Sequence, residues 1–124
     1  MYDLEELVEH LYFDVEYGRC VFDEKVAEMI MSRINYKAYS LLRDCENLCE
    51  EEGNEFYKNL VLECFELVDD LTYFNGGERH FYELLDNLRN KLNEIMGLLS
   101  PNHDDFSNEL SDKLYDIYSL CDFY

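Results

Sequence analysis

The chain is poor in residues that interrupt helices, and it contains no long apolar run. One proline and five glycines among 124 residues exclude collagen-like repeats, proline-rich linkers and a turn-dense all-β fold. No basic N-terminal region precedes an apolar run, so the sequence predicts no secretory signal. No uncharged apolar stretch reaches the roughly 18 residues of a membrane-spanning helix, so no such helix is expected.

Basic residues are also scarce. Ten Lys and Arg residues stand against 29 Asp and Glu residues, and the formal net charge is −19 at pH 7. A charge of that sign repels phosphates, so direct binding to nucleic acid or to an anionic membrane surface is not expected. The five cysteines are an odd number, and without a secretory signal they predict free thiols in a reducing cytoplasm.

Catalytic and cofactor-binding signatures are missing as well. The sequence contains no GxSxG, P-loop, HExxH or GxGxxG motif. Cys45 and Cys49 lie four residues apart on one predicted helix, but a closed zinc site needs four ligands and the three histidines are scattered. We therefore predict that the protein is not an enzyme and holds no cofactor or metal. The two cysteines are expected in the core.

Apolar residues make up 48% of the chain and recur at helical spacing in five segments. In residues 3–15 they occupy positions 4, 7, 8, 11, 12 and 15, with Asp3 as the predicted N-cap and Gly18 as the predicted end of the helix. No segment alternates with period two, so no strand is expected. We predict an all-α fold, a single-domain bundle of about five helices over residues 1–124.

The remaining four helices are delimited by capping residues and turn residues. The second is predicted from near Asp23 to Gly53-Asn54, and the third from Asn54 to the turn Asn75-Gly76-Gly77. The fourth ends at Ser100-Pro101, and the fifth begins at about Asp104. The third helix is expected to turn the following residues inward: Phe56, Leu60, Val61, Cys64, Phe65, Val68 and Leu71.

The negative charge is concentrated in one part of the chain. Residues 44–78 contain eleven acids and a single base, a net charge of −10, whereas the charges of residues 79–103 sum to zero. Glu63, Glu66 and Asp70 share one face of the third helix, where like charges destabilise a helix slightly. Two interpretations remain open: a face that only keeps the protein soluble, or a face that binds a partner.

Eleven tyrosines make this residue type the second unusual feature of the composition. Tyrosine is enriched in protein interfaces because it offers a large contact area and a hydroxyl at low entropic cost. Tyr36 and Tyr39 lie beside polar residues in the second predicted helix. The alternative is that most tyrosines fill the boundary of the core with their hydroxyls in water.

Two carboxylate pairs resemble a known enzyme pattern. Glu63-x-x-Glu66 and Glu83-x-x-Asp86 are similar to the paired ExxE and ExxD motifs of all-α nucleoside triphosphate pyrophosphohydrolases. In that family, helix-borne carboxylates hold magnesium on the substrate phosphates. The resemblance implies a magnesium-dependent nucleotide pyrophosphohydrolase as one alternative function.

In length, charge and helicity the chain resembles phage counter-defence proteins, including anti-CRISPR and anti-restriction proteins. Several of those proteins imitate nucleic acid with carboxylates. The chain is similar in the same respects to bacterial immunity proteins that neutralise a basic toxin nuclease. Either resemblance implies a basic, nucleic-acid-binding protein as the partner and the cytoplasm of a bacterial host cell as the location.

We therefore predict a small acidic inhibitor that binds the basic nucleic-acid-binding surface of a bacterial defence nuclease complex, and so blocks DNA binding or cleavage. The alternatives are the immunity protein and the pyrophosphohydrolase. The oligomeric state stays open. The predicted partner-binding residues are Glu50, Glu51, Glu52, Glu55, Glu63, Glu66, Asp69 and Asp70.

Overall fold

The computed structural model describes residues 3–15 and 19–123, and it confirms the all-α class. A 3₁₀ turn over Leu71–Tyr73 follows the third helix. The elements in chain order are α1 (Leu4–Glu9), β1 (Tyr12–Val15), β2 (Arg19–Phe22), α2 (Glu24–Glu52), α3 (Glu55–Asp70), α4 (Glu78–Leu99) and α5 (Asp105–Cys121).

The four long helices form a ring in which each helix packs against its neighbours in sequence. Helix α2 contacts α3, α3 contacts α4, α4 contacts α5, and α5 closes the ring against α2. Short connections make consecutive helices antiparallel, as in up-and-down four-helix bundles. The short helix α1 packs against α2. Each long helix therefore has one side in the core and one side facing outward.

Local side-chain chemistry sets most helix boundaries where the sequence predicts them. The Asp3 carboxylate accepts a hydrogen bond from the Glu6 amide at 2.8 Å, and Asn54 caps α3 through the Tyr57 amide at 3.0 Å. Asp104 accepts from the Ser107 amide at 2.8 Å at the start of α5. Helix α2 ends at Gly53, whose φ of 70° lies in the left-handed region that glycine adopts without strain.

The prediction for residues 3–15 is wrong in its second half. The helix stops at Glu9, and Tyr12–Val15 pairs antiparallel with Arg19–Phe22 in a hairpin. Aromatic and β-branched residues favour the extended conformation, and Tyr12 and Phe22 pack their rings together at 5.8 Å. Tyr12 also bonds to the Tyr82 hydroxyl on α4, so contacts distant in sequence support the strand. The predicted helix end at Gly18 lies outside the described residues.

One contiguous apolar core fills the centre of the ring. Helix α3 contributes Val61, Cys64 and Val68 to it, as the spacing predicts. The prediction that Phe56 faces inward is wrong, because this residue is 60% exposed. At 100° per residue, Phe56 stands roughly 110° from the centre of the buried stripe, which explains the outcome.

Candidate functional site

The outward side of α3 carries the acidic residues that the sequence singles out. Glu55, Glu66, Asp69 and Asp70 are exposed, and no ion pair to them occurs among the described residues. On a helical wheel these four side chains fall within about 75° of the outward direction. The structure therefore brings four of the eight predicted carboxylates together on one surface.

Two further predicted carboxylates lie at the edges of this surface and are paired within the protein. Glu50 of α2 contacts the Lys58 ammonium at 3.2 Å, and Glu63 contacts the Lys91 ammonium of α4 at 3.2 Å. The hydrogen bond that the Lys91 ammonium donates to Glu63 raises the pKa of Lys91 above its ordinary value. These two carboxylates are partly neutralised, so they present less charge to a partner than their neighbours do.

The remaining two predicted carboxylates stand apart from the α3 surface. Glu51 faces α5, where it lines a groove of about 380 Å³ together with Glu109 and Lys113. Glu52 is exposed in the last turn of α2. The acidic end of α2 therefore divides between two sides of the bundle, and the eight residues do not form one continuous patch.

Large apolar side chains share the outward side of α3 with the carboxylates. Phe56 is 60% exposed, Leu62 is 40% exposed and Tyr73, just beyond the helix, is 76% exposed. Helical spacing already indicates an outward position for Leu62, which stands well away from the stripe of Val61 and Cys64. We use the name α3 face for the following set: Glu55, Phe56, Leu62, Glu63, Glu66, Asp69, Asp70 and Tyr73.

The charge of the α3 face is strongest at the C-terminal end of the helix. Asp69 and Asp70 lie in the last turn, which contains no basic residue. The helix macrodipole places partial negative charge at the same end, so the two carboxylates add to it. This arrangement costs local stability and creates an electrostatic potential that attracts cations.

A groove opens beside that end of α3, between α2 and the segment that follows α3. Its volume is about 510 Å³. Asn35 of α2 donates its side-chain amide to the Val68 carbonyl of α3 at 2.9 Å, which joins the two helices beside the groove. We call this depression the α2–α3 groove. Its principal lining residues are Glu28, Met31, Asn35, Tyr36, Leu71 and Phe74.

The tyrosines considered from the sequence occupy different environments. Tyr36 is 78% exposed beside the α2–α3 groove. Tyr39 is partly covered, because its ring meets Phe65 edge-on at 5.0 Å and the Arg43 guanidinium lies 5.8 Å from its centre. Tyr115 and Tyr118 stack on each other along α5, away from the α3 face.

The carboxylates of the pyrophosphohydrolase pattern do not converge. Glu83 pairs with Arg79 at 3.0 Å, and Asp86 pairs with Arg89 at 3.2 Å, each within α4. Among the side chains that the structure describes, no group of three or more His, Cys, Asp or Glu residues could hold a metal ion. The arrangement therefore gives no support to magnesium-dependent chemistry at these four residues.

The cysteines of the long helices are core residues. Cys45, Cys49, Cys64 and Cys121 are buried, whereas Cys20 of the hairpin is exposed. Burial raises the pKa of Cys45 and of Cys64 to about 12, so both thiols stay protonated near neutral pH. The prediction that Cys45 and Cys49 serve the core is confirmed.

The fold is thus that of a small all-α bundle with one acidic and partly aromatic outer face. No protein-family model matches the chain, and no curated protein or solved structure is significantly similar to it. Among the described residues, no helix combines the length and apolarity that crossing a bilayer requires.

Proposed function

We propose that this protein is an inhibitor whose α3 face binds the basic nucleic-acid-binding surface of a bacterial defence nuclease complex, in the manner of anti-CRISPR proteins. Binding there would exclude DNA and so prevent its cleavage. The proposal places the protein in the cytoplasm of the bacterial host cell. A basic toxin nuclease is the alternative partner.

One observation carries the proposal: exposed carboxylates that have no pairing base among the described residues share the α3 face with exposed aromatic and aliphatic side chains. Glu66, Asp69 and Asp70 supply charge, while Phe56 and Tyr73 supply area that excludes water on binding. A face that served solubility alone would gain nothing from exposed rings. Aromatic anchors among charged groups are typical of interfaces.

The physical basis of inhibition is charge complementarity. Helix positions four residues apart rise by about 6 Å, a spacing comparable to that of successive phosphates along a strand. A groove of Lys and Arg side chains that binds phosphates therefore also attracts a row of carboxylates. Electrostatic steering accelerates such association by roughly 10- to 10³-fold at low salt. The apolar contacts then slow dissociation.

A competition experiment tests the proposal. Purified CRISPR effector complexes are mixed with labelled target DNA and increasing amounts of the protein, and DNA binding and cleavage are measured. We expect both to fall with at least one effector at physiological salt. Unchanged binding and cleavage throughout the panel at saturating protein would contradict the anti-CRISPR proposal. Inhibition of a basic toxin nuclease instead would identify an immunity protein.

A further inference from the structure

The α2–α3 groove combines aromatic walls with a carboxylate. Tyr36 lies at its rim and is 78% exposed, and Phe74 lines it from the segment beyond α3. Met31 and Leu71 are buried and form its apolar floor. Glu28 adds an exposed carboxylate at the same groove. An aromatic ring face beside a carboxylate is a favourable environment for an organic cation.

The electrostatic surroundings favour a positive occupant. The groove lies beside the C-terminal end of α3, where Asp69 and Asp70 add to the negative end of the helix macrodipole. Within the described part of the chain, no lysine or arginine lines the groove. The groove therefore offers negative potential and apolar contact without a cation of its own.

The protein uses tyrosine–guanidinium contacts elsewhere in the fold. The Arg43 guanidinium lies 5.8 Å from the Tyr39 ring centre, and the Arg89 guanidinium lies 5.7 Å from that of Tyr118. Tyr36 precedes Tyr39 by three residues on α2, and no such cation faces its ring among the described residues. The same chemistry is thus available at Tyr36 for an external arginine.

We propose that the α2–α3 groove binds an arginine side chain of the partner protein, with the guanidinium stacked on Tyr36 and paired with Glu28. This inference takes its partner from the proposed function and adds the chemical group that is recognised. Arginine fits better than lysine, because its planar guanidinium stacks on a ring while it donates hydrogen bonds in its own plane. Nucleic-acid-binding surfaces are rich in this residue.

The test uses small probes and does not require the partner. N-acetyl-arginine amide is titrated into the ¹⁵N-labelled protein, and amide chemical shifts are followed by NMR. N-acetyl-citrulline amide is the matched uncharged control. We expect saturable shifts confined to residues 28–36 and 71–74, with affinity for the arginine probe at least about fivefold above that for citrulline. Equal affinities, or unsaturable shifts spread over all acidic faces, would overturn the proposal.

Two variants with a matched control locate the binding. Tyr36→Ala and Glu28→Gln are each expected to weaken binding of the arginine probe at least about threefold. Tyr115→Ala removes another exposed tyrosine, on α5, and should leave binding unchanged. Circular dichroism confirms that each variant folds. Full probe affinity in both folded groove variants would contradict the assignment.

The outcomes for the groove and for the proposed function are separable. In one outcome, the arginine probe binds at the groove but the protein does not compete with DNA in any nuclease assay. That outcome would contradict the proposed function and leave the groove as a cation site. In the other outcome, the Tyr36→Ala variant competes with DNA at wild-type potency and the wild-type protein does not bind the arginine probe. That outcome would contradict arginine binding at the groove and leave the inhibitor proposal intact.

Discussion

The outer faces of α3 and α4 lie side by side on the bundle and differ in whether their acidic side chains are paired with bases. On α4, three exposed acids each pair with a base one helical turn away, at separations of 3.0 to 3.4 Å. On the α3 face, Glu66, Asp69 and Asp70 have no such base among the described residues. The α4 pairs are Arg79–Glu83, Arg89–Asp86 and Lys91–Glu94.

This difference teaches that composition alone does not explain the acidic surface. The sequence places i,i+3 and i,i+4 ion pairs on α4, where each stabilises the helix by a few tenths of a kcal/mol. Helix α3 carries five acids and one base, Lys58, which pairs with Glu50 of α2. Local stability is thus not maximised on α3, which is typical of surfaces that serve binding.

The largest expected effect comes from reversing charge on the two faces in parallel. Combined Glu66→Lys, Asp69→Lys and Asp70→Lys substitutions should slow association with the partner at least about tenfold. Their effect on unfolding free energy should be neutral or stabilising, because like charges are removed. Association rates are measured by stopped-flow or surface plasmon resonance at low and physiological salt.

The matched control reverses three acids of α4: Glu83→Lys, Asp86→Lys and Glu94→Lys. Net charge changes by the same amount, so any difference reports position and not total charge. We expect the α4 triple variant to lose less of its association rate than the α3 triple variant. We also expect it to be less stable than the wild type, because its ion pairs are broken. Equal losses for the two triple variants would mean that only net charge matters.

The next largest effect concerns the segment that connects α3 to α4. Gly76 has a φ of 94°, and a Cβ added to it would collide with the Glu24 carboxyl group. Gly76→Ala should therefore lower the free energy of unfolding by about 1–3 kcal/mol. Gly97→Ala on α4 meets open space and should raise it by about 0.5–1 kcal/mol. Urea denaturation measures the free energy of unfolding of both variants. A change of the same sign in the two variants would refute this explanation.

Apolar side chains on the two faces should differ in their contribution to binding. Tyr73→Ala should weaken partner affinity by about 1–2 kcal/mol while stability stays unchanged, because Tyr73 is 76% exposed in the free protein. Leu98→Ala on α4 is the control, since Leu98 is 44% exposed but lies off the α3 face. Isothermal titration calorimetry compares the two. Wild-type affinity for Tyr73→Ala would restrict the interface to its charges.

The smallest effect is expected for the ion pair that joins the two faces. Lys91→Met removes contacts to Glu63 and Glu94 and should cost about 0.5 kcal/mol at pH 7. The folded-state pKa of Lys91 is raised, so the stabilisation is present below its unfolded value and is lost as pH rises through the folded value. The stabilities of variant and wild type should therefore converge in strong alkali, measured by urea denaturation across pH.

Helix boundaries could be predicted from sequence because their chemistry is local. Asn54 and Asp104 cap helices through amides three residues away, and Gly53 ends α2 through its own backbone. The hairpin could not be predicted in this way. Tyr12 is held by Glu78 at 2.8 Å and by Tyr82 at 2.6 Å, some 66 to 70 positions along the chain.

The candidate site shows the same division. Exposure of Glu66 and Asp70 follows from helical periodicity, which the sequence displays directly. Pairing of Glu63 with Lys91 depends on how α3 packs against α4, so periodicity within one helix does not reveal it. The outward position of Phe56 follows from its angle on the helix. The sequence-based prediction places it inward because aromatic residues are usually buried.

The closure of the ring by α5 has a consequence for biosynthesis. Helix α2 is complete at Glu52, but its contact with α5 requires residues up to Cys121. At typical translation rates this interval lasts roughly 3–14 s, during which part of the apolar stripe of α2 lacks its final cover. Repulsion between like-charged nascent chains opposes their aggregation in that period. The net charge of −19 therefore opposes aggregation of the unfinished chain before α5 completes the ring.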